Sequence, residues 1–541
     1  MKVTAFKKIR VAVSLIFFLF TLSLFLDYRN VFPSSIYAKI LFLQFVPSFI
    51  KFISLAGIGA VGFLVVLLLT LFSGRVYCSS ICPLGTFQDV ISFLSRKMKK
   101  KKKKKREFLR YEKGKKWWRY SFLALAVVPF LGGTIFFINL LDPYSSFGKI
   151  SSHLFRPLLI IANNLIAFLF EKMNMYLVYP FEFKGVEIFS FALALIIFLV
   201  VVYLSFTKGR LYCNTVCPVG TLLGFVSKFA FVKIAIDEKK CKSCGICERV
   251  CKSNCIDKIN KTVDFDRCVS CFNCFDVCPT DGMKFEYGFF SSPKNDKVKI
   301  EATSSRELNE RDEKVLYSKR NFLFNTFAYA VGLTGITLSQ IKINPKKASK
   351  VAILRKNPVT PPGSKSRTNF TQNCTACHLC VSVCPTQVLQ PAYLEYGLLG
   401  MFQPRMDFQT GFCNYECNLC GEVCPTGAIS SVSLEAKKLT QLGKAKFVKD
   451  NCIVNTENTD CGACSEHCPT KAVNMVPYKN KLVIPEVKEE FCIGCGACEF
   501  ACPTKPYKAI YVEGNPKHLN AKINKEKKIE QKVDYKEEFP F

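Results

Sequence analysis

Histidine, tryptophan and negative charge are scarce in this 541-residue chain. It holds four histidines, two tryptophans, and 42 Asp and Glu against 75 Lys and Arg. The histidines (His153, His378, His467 and His518) are too few and too scattered for imidazole-based metal centres to be the theme. No set of acid, base and nucleophile stands out, so no independent catalytic site is evident and enzyme status stays open. A cleavable secretory signal is also lacking, because no small-residue cleavage site follows the first apolar run. The net charge of +33 would suit a nucleic-acid partner, but 49 % of the residues are hydrophobic and fall in long runs. Lysine beside such runs reads as membrane topology, and nucleic acid is set aside.

Cysteine is what the chain has instead, with 29 residues in short clusters. A disulfide framework does not suit so long a chain with one repeated C-x2-C grammar. Structural zinc would lack the third cysteine and the x3-C-P tail seen here. The stretch Cys492, Cys495, Cys498, Cys502-Pro503 reads C-x2-C-x2-C-x3-C-P, the spacing that holds a cubane iron–sulfur cluster. In two-cluster ferredoxins the fourth cysteine serves the neighbouring cluster, so such motifs work in pairs.

Six motifs of this kind occur. Cys241, Cys244, Cys247, Cys251 precede Cys268, Cys271, Cys274, Cys278-Pro279. Their expected pairing puts Cys278 with the first three cysteines and Cys251 with Cys268, Cys271 and Cys274. Lys252 follows Cys251 where proline is expected, and Cys255 is left over, either a spare or a replacement for Cys251; spacing favours Cys251. Further on come Cys374, Cys377, Cys380, Cys384-Pro385, then Cys413, Cys417, Cys420, Cys424-Pro425, then Cys452, Cys461, Cys464, Cys468-Pro469, then the 492–502 set. The second and third of these have longer first gaps, so their loops must bulge. Twenty-four cysteines imply about six [4Fe-4S] clusters. His378 and His467 sit inside cluster loops, where hydrogen bonding or exposure suits them better than ligation.

The N-terminal half is apolar. Spans are expected at Val11–Leu26, Phe52–Phe72, Tyr120–Leu141 and Ile188–Phe206, with Ile40–Ile50 and Leu158–Phe170 interfacial or re-entrant. Loop 74–119 carries 16 Lys and Arg, including the run Lys99–Lys105, against 3 in 27–51 and 4 in 142–186. The positive-inside rule then puts the N-terminus and loop 74–119 in the cytoplasm. Two matching phrases follow spans two and four: Gly74-Arg75-x-Tyr77-Cys78-x3-Cys82-Pro83-x-Gly85 and Gly209-Arg210-x-Tyr212-Cys213-x3-Cys217-Pro218-x-Gly220. This internal repeat offers four thiols on one side. They read as a metal or cluster site, a dithiol switch, or inert buried cysteines.

The expected organisation is a membrane domain over 1–230, a cytoplasmic two-cluster module over 231–290, and a polar linker over 291–318. A signal-anchor or fifth span follows over 319–341, then a four-cluster module over 350–512 and a charged tail over 513–541. The fold class is multidomain: an α-helical membrane domain of four spans plus a fifth, with two α+β bacterial-type ferredoxin modules. Ser318-Lys319-Arg320-Asn321-Phe322-Leu323 is similar to a twin-arginine signal with Lys319 in the first arginine place. That would export the last module folded; the alternative is a packed helix that keeps the whole chain cytoplasmic.

Residues 1–290 resemble the NapH-type membrane ferredoxins, which share architecture with NosR-like proteins. The likeness rests on the spans, Cys78/Cys82-Pro83, Cys213/Cys217-Pro218 and the motifs at 241–278. Residues 318–510 resemble the NapG/MauM-type exported ferredoxins, through the twin-arginine-like start, Pro361-Pro362-Gly363 and the four motifs. The chain therefore looks like a fusion of the two. The resemblance implies a bacterial inner (plasma) membrane protein that relays electrons from the quinone pool, with quinol as reductant, to a periplasmic partner. That partner would be a terminal reductase or a small cytochrome. An assembly factor that supplies reducing equivalents to a respiratory metalloenzyme is the alternative, and a redox sensor a third. By analogy with related four-cluster subunits, outer motifs pair and inner motifs pair: Cys374, Cys377, Cys380 with Cys502, and Cys492, Cys495, Cys498 with Cys384. Sequential pairing is the runner-up.

Overall fold

The computed structural model describes residues 4–55, 61–101, 110–184, 187–288 and 351–523. These segments belong to one compact unit. The linker, the twin-arginine-like stretch and the expected fifth span fall outside the described residues, as does most of the lysine run.

Helix α1 spans Thr4–Leu26. It ends at Asp27, whose carboxylate accepts the backbone N–H groups of Val31 and Phe32 and the Tyr37 hydroxyl. Helices α2 (Ser34–Leu41) and α3 (Phe45–Leu55) meet at a bend of 103°. Helix α4 covers Gly62–Ser73, so the span expected at Phe52–Phe72 consists of the end of α3, an undescribed stretch and α4. The first repeat phrase forms α5 (Val76–Ser80) and opens α6 (Pro83–Lys101).

The span expected at Tyr120–Leu141 is broken. Helix α7 runs only over Lys116–Leu131 and α8 over Phe136–Leu141. Pro129 removes a backbone donor, and Gly133 adopts φ 82°, which stops the helix. Conversely, Leu158–Phe170, expected to be interfacial, lies in a long apolar helix. Helix α9 (Pro143–Ile150) passes through a π-helical turn, Ser151–Phe155, into α10 (Arg156–Lys172). Asn163 and Asn164 do not break it, because Tyr28, Arg29 and the backbone of Tyr179 and Phe181 satisfy their side chains. Helix α11 (Ile188–Lys208) leads to α12 (Leu211–Thr215) and α13 (Pro218–Ser227), which carry the second phrase. Among the described residues three helices are long and apolar enough to cross a membrane, Phe6–Leu26, Pro143–Lys172 and Ile188–Lys208, or four if the bent pair counts as one.

The first cysteine module is small. Strand β1 (Val232–Ile236) pairs antiparallel with β4 (Met283–Tyr287) and closes its two ends. A hairpin, β2 (Ile256–Asp257) with β3 (Thr262–Val263), lies between them. The second module holds three antiparallel pairs: β5 (Leu389–Pro391) with β6 (Pro404–Met406), β8 (Val473–Pro477) with β9 (Val483–Val487), and β7 (Thr440–Phe447) with β10 (Ile510–Asn520). Residues 513–520, expected in the charged tail, therefore belong to the module. Ile510, Val512 and Gly514 alternate inward, and this period-2 pattern is half hidden by the lysines and glutamate around it.

Candidate iron–sulfur path

In the first module Cys247 has Cys241, Cys244 and Cys278 as its electrostatic neighbours. A separate cavity is lined by Cys251, Cys255, Cys268, Cys271 and Cys274. The two motifs thus exchange their fourth cysteines. Cys255 lies 3.5 Å from Cys251, sulfur to sulfur, and also within hydrogen-bond reach of Cys268. The bond with Cys255 lowers the Cys251 thiol, and the same bond with burial raises Cys255. Lys252 breaks the C-P pattern for a tertiary reason: its ammonium lies 2.9 Å from Asp89 of α6.

The second module corrects the pairing expected from related subunits. Cys413, Cys417 and Cys420 line one cavity with Cys384, and Cys452, Cys461 and Cys464 another with Cys502. Cys424 neighbours Cys374, Cys377 and Cys380, and Cys468 neighbours Cys492, Cys495 and Cys498. Pairing is sequential: the first motif with the second, the third with the fourth. Short local loops close each pair, which costs less chain entropy than joining the first motif to the last. The two pairs then meet where the Cys413 N–H donates to the Cys495 carbonyl at 2.9 Å.

The residues around these sulfurs fit iron–sulfur clusters. Backbone N–H groups point at the fourth cysteines, from Gly282 to Cys278, Ile429 to Cys424, Ala472 to Cys468 and Ala509 to Cys502, at 3.2–3.5 Å. Threonine follows Cys-Pro in five motifs. The hydroxyls of Thr280, Thr386, Thr426, Thr470 and Thr504 lie 3.1–3.8 Å from Cys278, Cys384, Cys424, Cys468 and Cys502. Such bonds stabilise thiolate sulfur and tune a cluster. Sequence reasoning missed these threonines, although the repeated C-P-T is plain in the chain. The four regular loops share left-handed residues on either side of their second cysteine: Ser243 and Gly245, Ser270 and Phe272, Ala376 and His378, Gly494 and Gly496. Burial pushes the thiols up, Cys247 and Cys413 to about 11 and Cys464 to about 12, so ligation would release protons. Among the described residues no three His, Cys, Asp or Glu side chains close around one point as they would around a single metal ion.

The membrane-domain cysteines also converge. Cys78, Cys82, Cys213 and Cys217 are all buried, and Cys217 has the other three as electrostatic neighbours. The two repeats interlock. Arg75 donates to the Asn214 side chain and the Cys213 carbonyl of the second repeat; Arg210 donates to the Cys78 and Gly85 carbonyls of the first. A Cβ at Gly85 would meet the Cys78 carbonyl at 2.3 Å, and one at Gly220 the Cys213 carbonyl at 2.2 Å. The final glycine of each phrase is thus fixed by the same close approach.

Helix α1 touches a cysteine module at each end. Near its start Lys7 pairs with Asp276 and Phe6 packs on Phe272. Asp89 receives Arg10, Arg210 and Lys252, while Arg75 and Arg119 donate to the Asp266 carbonyl. Near its end Phe25 packs on Tyr144 and Phe147, and Gly148 lies so close to the second module that a Cβ would meet the Cys377 carbonyl at 2.2 Å. Ser152 bonds Ser382 at 2.9 Å and His153 bonds His378 at 2.7 Å. His378 donates its other nitrogen to the Phe402 carbonyl, so it accepts from His153. His467 stays exposed, with its ring against the Ala463 carbonyl.

A family model described as a 4Fe-4S binding domain matches twice, over residues 55–101 and 191–236, and one described as a 4Fe-4S dicluster domain matches over 373–428 and 459–505. An uncharacterized protein of Methanocaldococcus jannaschii is 34 % identical over 125 residues, 23 % of this chain and 49 % of that protein. The electron transport protein YccM of Escherichia coli is 24 % identical over 39 % of this chain and 51 % of its own length. The ferredoxin-type protein NapH of Haemophilus influenzae is 24 % identical over 42 % of this chain and 67 % of its own length. The chain thus spans about half the length of some of the relatives it matches. No solved structure matches. The chain is thus similar to ferredoxin-type and electron transport proteins over part of their length, matches 4Fe-4S domain models and has helices able to cross a membrane.

Proposed function

We propose that the chain carries electrons across a bacterial inner membrane, from the quinone pool on the cytoplasmic side to an exported redox partner. The observation that carries this reading is the pair of contacts at the two ends of α1. A helix of 23 residues is about 34 Å long, close to the thickness of a bilayer's hydrocarbon core. A module fixed at each end therefore lies at each membrane face.

Six cysteine sets would hold [4Fe-4S] clusters. In the first module these are Cys241, Cys244, Cys247 with Cys278, and Cys268, Cys271, Cys274 with Cys251. In the second they are Cys374, Cys377, Cys380 with Cys424, Cys413, Cys417, Cys420 with Cys384, Cys492, Cys495, Cys498 with Cys468, and Cys452, Cys461, Cys464 with Cys502. A bound cluster supplies one-electron transfer. The protein's own part is order: the Cys268 set faces the membrane domain, and the Cys374 set rests on α9. The Cys413–Cys495 contact continues the line outward.

A quinone headgroup fits a cavity of about 810 Å³ between α1, α6 and the first module. Its lining combines Val11, Leu15 and Phe93 with Arg10, Arg96 and Lys252, and Asn273 links it to the Cys271–Cys274 loop. Apolar walls with a few convergent polar groups are the usual character of such a site.

The test uses the full-length holoprotein in liposomes, with an impermeant reductant outside and an impermeant oxidised dye trapped within. Reduction of the trapped dye, dependent on the protein, supports the relay. An unchanged dye while the outward-facing clusters are reduced overturns it.

A further inference from the structure

We infer that Cys78, Cys82, Cys213 and Cys217 together ligate one more iron–sulfur cluster inside the membrane domain, each repeat giving half of the ligands. Its place in the path rests on the relay reading; the site itself does not. Each match to the 4Fe-4S binding model covers only two of these cysteines, half of what a four-thiolate cluster needs. The fold repairs the deficit, because the interlocked arginines bring the two halves face to face.

Three observations point to an anionic group among these thiols. First, the buried charges beside them do not balance. Arg75 and Arg210 are both fully buried against these cysteines, and while Arg210 pairs with Asp89, the acceptors of Arg75 are neutral: the Asn214 side chain and the Cys213 and Asp266 carbonyls. Uncompensated buried cations are costly, and neutral thiols would not compensate them, whereas a four-thiolate cluster is anionic. Second, one Arg75 nitrogen lies 3.9 Å from the Cys78 sulfur, and the Gly220 N–H points at the Cys217 sulfur at 3.3 Å. The latter repeats the N–H to sulfur contacts of the other cluster loops. Third, Gln88 is fully buried, with its amide 3.5 Å from the Cys213 sulfur and its Nε2 without a partner. Turned over, that amide donates to a thiolate and is satisfied; facing a thiol it gains much less.

The position suits a station between modules. On one side Asn214 donates to the Ser253 carbonyl, two residues from Cys251. On the other, Tyr212 donates to the Leu141 carbonyl, just before α9 and its contact with Cys377. Tunnelling falls steeply with distance, so a gap of bilayer depth needs an intermediate centre. A dithiol switch would fill the gap less well, because disulfide chemistry moves electrons in pairs while the flanking clusters move them singly.

The test is iron and sulfide analysis with Mössbauer and EPR spectroscopy on the anaerobically purified full chain, beside the Cys78→Ser/Cys213→Ser double variant. The expected result is the loss of one cluster's iron, about four atoms of roughly 28 for a cubane or about two for a binuclear cluster, with the other signals kept. Unchanged iron in the folded variant overturns the inference, as does rapid alkylation of all four cysteines or a disulfide among them in the natural protein. Where the double variant does not fold, Gln88→Leu decides. Its expected outcome is full iron content with one centre's reduction potential lowered, and unmoved potentials overturn the inference. Loss of iron in the double variant while the natural protein fails to reduce the trapped dye would keep the site and sink the relay; unchanged iron in the variant while the natural protein reduces the dye would sink only the site.

Discussion

The two cysteine modules dock on the same helical domain by opposite means. The first is held by charge: Lys252 on Asp89 and Arg119 on Asp266, both out of water. The second is held without an ion pair among the described residues: by Gly148 under Cys377, the serine pair, the histidine pair, and Lys149 and Lys184 over the rings of Phe402 and Phe500. The module that departs from the motif, with Lys252 for proline, is the one whose departure makes the interface. The module with a regular motif docks by shape, and the partner helix adapts with a glycine and a π-helical turn. π-Turns within α-helices commonly mark functional sites.

The most damaging break is expected on the charged side. Asp89→Asn leaves Arg10, Arg210 and Lys252 buried without a carboxylate, a loss of about 3–5 kcal/mol. Urea titration in detergent should show it, with the first module's clusters lost before the others. Gly148→Val forces a Cβ into the Cys377 carbonyl and should weaken docking of the second module by about 1–3 kcal/mol. Limited proteolysis should then release that module with its clusters intact, and transfer to the trapped dye should fall while iron content holds.

Smaller effects sharpen the contrast inside the second module. Thr504→Val removes a hydroxyl 3.1 Å from the Cys502 sulfur and should lower one centre's potential by about 20–60 mV, read by EPR-monitored titration. A pH-dependent effect concerns His518, which bonds Thr360 at 2.7 Å and whose burial holds its pKa down to about 4. A histidine lowered in the folded state stabilises above its unfolded value near 6.5 and loses that contribution as pH falls towards 4. The loss should be about 1–3 kcal/mol and absent in His518→Gln, checked by thermal melts at pH 7 and pH 5.

Much of the site was legible from spacing. The motifs and the repeated phrase depend on local loop geometry, where three cysteines two residues apart can meet by turning the backbone alone. The family comparison between motifs misled, because the choice of a fourth cysteine is a long-range question. Cys424 rather than Cys502 completes the Cys374 set through how β5 and β6 fold back. Helix ends were less legible. Pro129 and the glycines after it cut an apolar run that hydropathy reads as whole, and Leu158–Phe170 runs unbroken because Asn163 and Asn164 find partners outside the helix. His153 carried no signal, since its partner His378 lies 225 residues away in a cluster loop.

The sequence by itself determined the inventory: how many cysteine motifs exist, which of them have cluster spacing, and how much apolar helix is present. Those follow from residue type and near-neighbour spacing, which act within a few bonds. Only the tertiary structure decided the order: which sets adjoin, that two half-motifs face each other across interlocked arginines, and that one helix reaches both modules. These depend on burial, where an unpaired charge or a misplaced carbonyl costs several kcal/mol. That penalty is set by neighbours far away in the chain, and no local pattern records it.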